Sequence, residues 1–129
     1  MKIHHLGYLV KDIEKAKANF LALGYSVEQE NVFDEERGIN ITFLINDGYR
    51  IELVSPARED GVVSSLIKKL GNTPYHICYI TNDLDSEIER LKTTGFLVIQ
   101  APKIAPAIQN KRVAFLMSAT LGIIELVEE

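Results

Sequence analysis

The sequence predicts an α+β fold of two tandem βαβββ modules forming a curved mixed sheet, and two observations carry that expectation. The first is an internal repeat. "HHLGYLVKDIEKAKANFLALGYSV" lies without gaps on "YHICYITNDLDSEIERLKTTGFLV", placing His5 on His76, Tyr8 on Tyr79, Asp12 on Asp83, Gly24 on Gly95 and Val27 on Val98 at a constant separation of 71 residues. A fixed self-similarity of this kind marks a duplicated supersecondary unit. The second is the pattern inside each copy, a strand-like run, then helical periodicity, then three further apolar runs. Later in the copies "RIELV" falls on "IIELV", so Glu52 meets Glu125 at a separation of 73, which two extra loop residues explain.

Taken in order, the first strand is expected over Lys2–Val10 and ends at Asp12, whose side-chain oxygen suits a helix N-cap. The helix after it presents Ile13, Ala16, Phe20 and Leu23 on one face. Gly24 then stands where a left-handed residue is wanted. Strands follow over Tyr25–Val32, Ile39–Ile45 and Arg50–Ser55, the last two joined by the Asn46–Gly48 turn. Residues 1–56 form the first module. A linker over 57–73 carries a short helix, Val62–Leu70, that Pro74 is expected to stop. The second module, 74–129, repeats the plan: strand Tyr75–Thr81, cap Asp83, a helix with Leu84, Ile88 and Leu91 on one face, Gly95, and strands Phe96–Gln100, Arg112–Met117 and Ile123–Glu128. Together they are expected to make a single domain, 1–129.

Composition bounds the partners. A hydrophobic share of 47% and a charged share of 25% are those of an ordinary globular chain. The net charge of −4 provides no basic footprint, so nucleic acid is not an expected partner. No apolar run approaches the roughly 20 residues that span a bilayer, so no membrane partner is expected either. No apolar segment follows Met1 and Lys2 as a secretory signal requires. The single cysteine, Cys78, fits a reducing compartment, and the expected location is cytoplasmic.

The repeat also selects side chains. Neighbours on a strand face opposite ways, so only one of His4 and His5 turns inward. His5 recurs as His76 whereas His4 recurs as Tyr75, which makes His5 the inward residue and His4 a tolerant surface or interface position. Glu52 and Glu125 each stand between an isoleucine and a leucine, and burying such an acid is costly unless it is paired or bound to a metal. Two like modules packed about an approximate two-fold axis would bring His5, Glu52, His76 and Glu125 to one centre. Two imidazoles and two carboxylates suit one divalent ion, Zn, Ni, Co or Mn.

These residues resemble the vicinal oxygen chelate superfamily, whose paired βαβββ modules cup a metal and which includes glyoxalase I, methylmalonyl-CoA epimerase, extradiol dioxygenases and antibiotic-resistance proteins. The resemblance is strongest to the methylmalonyl-CoA epimerases, through "HLGYLVKD", "RIELVSP", "YHICY" and "GIIELVE". It implies that His5, Glu52, His76 and Glu125 are the metal ligands. It also implies that Glu36 of "DEERGIN", with Glu125, is one of two acid/base groups on opposite sides of a substrate α-carbon. The implied reaction is proton transfer on a small 2-substituted acyl (CoA) thioester through a metal-stabilised enediolate, and the implied assembly is a homodimer. Departures bear on the substrate: "IAPAIQNKR" and "FLMSATLG" replace loops that surround it in the epimerases, and Leu9 stands where glyoxalase I carries a glutathione-binding Arg. A glyoxalase I-type lactoylglutathione lyase and a metal-free ligand-binding or resistance protein therefore stay open beside the epimerase-like isomerase.

Overall fold

Each half of the chain folds as β-α-β-β-β, in the order that the repeat predicts. The computed structural model describes residues Met1–Glu129. The elements are β1 (Lys2–Leu9), α1 (Ile13–Ala22), β2 (Ser26–Asp34), β3 (Ile39–Asn46), β4 (Tyr49–Pro56), α2 (Val62–Leu70), β5 (Thr73–Thr81), α3 (Leu84–Lys92), β6 (Leu97–Ala105), β7 (Lys111–Ser118) and β8 (Gly122–Glu128). They form two compact units, Leu6–Pro74 and Met1–His5 with Tyr75–Glu129. The division falls inside β1, so His5 belongs with the C-terminal part of the chain. No helix is long and apolar enough to cross a membrane.

In the unit Leu6–Pro74 the strand order is β2-β3-β4-β1. β1 and β4 pair in parallel from Leu6↔Ile51 to Leu9↔Val54, and the other pairs are antiparallel. The Asp12 carboxylate accepts from the Lys15 amide at 3.1 Å, which satisfies one of the otherwise open donors of α1. Val10, Ile13, Leu44, Ile51 and Leu53 make the buried core, with Tyr8, Ala16, Phe20, Tyr25 and Val27 packed against it. Leu23 departs from the expected apolar face and is 71% exposed. The helix closes at Ala22, and Leu23 becomes its C-cap, its amide returning to Phe20 and Leu21. Tyr25 closes that end of the core instead, edge-on to Phe20 at 5.1 Å. The β3–β4 turn needs positive φ at two successive residues and has it at Asp47 and Gly48. α2 spans the expected residues but ends at Gly71 (φ 75) rather than through Pro74, which lies within β5.

The other unit repeats this plan with strand order β5-β8-β7-β6. β5 and β8 pair in parallel, and the remaining pairs are antiparallel. Its core holds Leu84, Ile88, Leu91, Ala114, Leu116, Ile124 and Leu126, with Tyr79, Phe96 and Val98 against them. Even irregularities recur. The β2–β3 ladder slips between Val27 and Gln29 and between Gln29 and Val32; the β6–β7 ladder slips between Val98 and Gln100 and between Gln100 and Lys103. Bulges bend a strand and sharpen its twist, so matched bulges give both units the same local curvature. β6 runs five residues beyond the expected Gln100. It crosses Pro102, which an edge strand tolerates because only one side of it is paired.

Candidate metal centre

The parallel pairing of β5 with β8 sets the chemistry. Cys78 stands opposite Glu125, and His76 lies two residues earlier on β5, on the same face as Cys78. Phe115 of β7 faces Glu125 from the other side. Met1–His5 adds the second imidazole to this unit. Glu125 Oε2 lies 3.1 Å from His5 Nε2 and 3.0 Å from His76 Nε2, and the two Nε2 atoms are 3.1 Å apart. His5, His76 and Glu125 are 1%, 3% and 2% exposed.

This triangle has the dimensions of a ligand set. Two ligands about 2.1 Å from one ion stand about 3.0 Å apart at a right angle and about 3.4 Å apart at the tetrahedral angle. Glu125 Oε2 is buried with no aligned hydrogen-bond donor, although two imidazole nitrogens face it. A cation at the focus of the three atoms would neutralise this buried carboxylate. The residues present therefore fit a divalent ion, and His, His and carboxylate are donors that zinc and its neighbours accept. Burial alone pushes the Glu125 pKa up; the bonding and charge of the facing His5 and His76 outweigh it and hold the carboxyl well below the usual range. The His76 ring is braced edge-on by Tyr75 at 4.4 Å and by Phe115 at 5.3 Å.

The other expected site residues lie in the unit Leu6–Pro74. Glu52 is 4% exposed on β4 and stands opposite Gly7 of β1 and Phe43 of β3. That register repeats the setting of Glu125 between Cys78 and Phe115. Glu36 lies in the exposed turn between β2 and β3. The turn is no loose charge run. Asp34 is buried and accepts from the Arg37 amide at 3.0 Å and from the Arg37 guanidinium at 2.8 Å. The Arg58 guanidinium donates to the carbonyls of Glu35 and Glu36, both at 2.9 Å.

Two residues gain a role that sequence reasoning passed over. Arg58 sits in the linker stretch and pins the Glu36 turn; no local pattern announces such a reach across the chain. His4 was expected at a tolerant surface or interface position. It is half-buried, with its Nδ1 2.7 Å from Nδ1 of His5. The adjacent pair "HH" was the available signal.

Comparison with known proteins agrees with this architecture. A family model described as the Glyoxalase/Bleomycin resistance protein/Dioxygenase superfamily matches residues 4–115. An ethylmalonyl-CoA/methylmalonyl-CoA epimerase of Cereibacter sphaeroides is 28% identical over 118 residues, 89% of this chain and 87% of that protein. A Streptomyces coelicolor methylmalonyl-CoA epimerase variant solved with 2-nitronate-propionyl-CoA is similar with a TM-score of 0.87 at 26% identity, covering 100% of this chain and 94% of that one. A hypothetical protein from Bacillus halodurans gives a TM-score of 0.88 at 25% identity, covering 99% and 94%.

Proposed function

The chain belongs to the glyoxalase/bleomycin resistance protein/dioxygenase superfamily, and from that premise we propose that it is a metal-dependent, epimerase-like isomerase. Its substrate is a small 2-substituted acyl thioester, with coenzyme A as the thiol. His5, His76 and Glu125 hold one divalent ion, Zn, Ni, Co or Mn, and Glu52 is the fourth ligand. The observation that carries the reading is the buried triangle of two Nε2 atoms and one carboxylate oxygen with edges of 3.0 to 3.1 Å. Glu52 joins the set because it is buried in an apolar strand at the register position that Glu125 holds in the repeat.

When bound, such an ion supplies Lewis-acid polarisation of the substrate carbonyl. Glu125, ionised and shut off from water, accepts the α-proton at a carboxylate oxygen. Glu36 is the second acid/base group and returns a proton to the opposite face, inverting the centre. The bonds from Arg58, and those between Asp34 and Arg37, hold the backbone from which Glu36 projects. The epimerase relatives named above support the acyl-CoA class. The protein is read as a cytoplasmic homodimer, in keeping with its single cysteine and with the assembly that the family resemblance implies.

The test is solvent-deuterium exchange into a racemic 2-methyl acyl-CoA thioester by protein loaded with each of the four metals. Exchange at the α-carbon, abolished by His5→Ala, is the expected result. Turnover of a glutathione hemithioacetal in its place would move the assignment to a lyase. Failure to take up stoichiometric metal would reduce the site to a ligand-binding cup.

A further inference from the structure

The contact between the adjacent histidines has a direction. His4 Nδ1 and His5 Nδ1 are 2.7 Å apart, with the rings 5.0 Å apart and inclined at 80°. A nitrogen–nitrogen contact that short needs one proton between the two atoms, so one ring donates and the other accepts. A neutral imidazole carries a single proton. His5 Nε2 faces His76 Nε2 and Glu125 Oε2, each at 3.1 Å, and as a ligand it must present a lone pair there. Its proton is then on Nδ1, and His4 Nδ1 is the acceptor.

We propose that His4 is a positioning residue that locks His5 in the tautomer and ring orientation that turn Nε2 toward the ion. Metal-bound histidines commonly give their second ring N–H to a carboxylate, a carbonyl or water, and such partners sharpen both geometry and affinity. Here the partner is another imidazole, from the preceding residue. The repeat underlines the asymmetry. Tyr75, at the position matching His4, braces His76 through an edge-on ring contact, whereas His4 braces His5 through a ring-nitrogen hydrogen bond. His4, His5 and Cys78 also bring one ligand atom each within 4.8 Å of the others, which defines a rival N,N,S donor set.

This inference rests on the metal-site reading above, and the experiment separates the two. Zinc affinity is measured by competition with a chromophoric chelator for the wild type, His4→Phe and His4→Asn. The tautomer of His5 is read by proton–nitrogen correlation of the histidine rings in the zinc-loaded wild type. The expected result is Nδ1–H on His5, zinc binding about 10- to 100-fold weaker in His4→Phe, and recovery to within a few fold in His4→Asn, whose Oδ1 restores an acceptor. Wild type that binds zinc through His5 Nε2, with His4→Phe equal to it, would overturn the role of His4 and leave the metal site standing. Wild type that takes up no zinc would overturn both. A thiolate-to-cobalt charge-transfer band in the cobalt-loaded protein would place the ion on the Cys78 set and overturn the inference.

Discussion

Nε2 of His5 and Nε2 of His76 stand 3.1 Å apart, and both face the same oxygen of Glu125. An ion bound at that focus would meet this triangle only in the folded chain and would therefore stabilise the fold. At a free zinc concentration 100 times the dissociation constant the gain is about 2.7 kcal/mol, which raises the Tm of a domain of this size by roughly 10 °C. Thermal scans with and without chelator are expected to show that shift in the wild type and to lose it in His76→Ala.

The same contact predicts acid sensitivity in the metal-free protein. Burial acts to raise the Glu125 pKa, the two imidazoles outweigh it, and the folded value lies well below the ordinary carboxylate range. A group with a depressed folded pKa contributes stability that is fully present above the unfolded value and is lost as pH falls toward the folded one. Urea midpoints of the chelated wild type should decline below pH 4.5 more steeply than those of Glu125→Gln. Parallel curves would show that the carboxylate is not held by its histidines.

Glu36 and the metal ligands should separate in mutagenesis. General acid/base groups commonly contribute about 100- to 10,000-fold. Glu36→Gln is therefore expected to lower α-proton exchange at least about 100-fold while zinc affinity stays at the wild-type value. Undiminished exchange would remove Glu36 from the reaction, and weakened zinc binding would assign it to the metal instead.

Gly38 supports the turn that carries Glu36. Its φ is +66, and a Cβ there would collide with the Arg58 guanidinium that clamps the turn. Left-handed backbone costs a residue with a Cβ about 1–2 kcal/mol, and the collision adds to it. Chemical denaturation of Gly38→Ala should show at least that loss. In an Arg58→Ala background the same substitution should cost only the backbone part, since its obstacle is gone. An equal cost in both backgrounds would mean that Arg58 yields freely.

The repeat made most of the architecture legible before any coordinates. Matched pairs such as Ile13 with Leu84 and Leu53 with Leu126 are core residues in their respective units, as a duplicated fold requires. Asp12 and Asp83 cap helices, their carboxylates accepting from Lys15 and Ser86, and the histidine and glutamate chosen in the C-terminal repeat do converge. What stayed hidden depends on contacts without a local pattern. Leu23 carries a helical spacing, yet the helix closes one residue too soon to bury it. The length of β6 follows from its place at an edge, where Pro102 is harmless. His4 was passed over because strand alternation separates adjacent side chains by face, while two imidazoles can still meet through their near nitrogens.

Cys78 lies fully buried beside Glu125 on the paired strand. A disulfide reagent can reach it only through local opening of the strands around it, the β5–β8 ladder among them, so its labelling rate is a clock for local opening around the imidazoles. With one thiol in the chain, every labelled molecule reports the same event, and slower labelling at rising zinc would time how long the cation keeps that ladder shut.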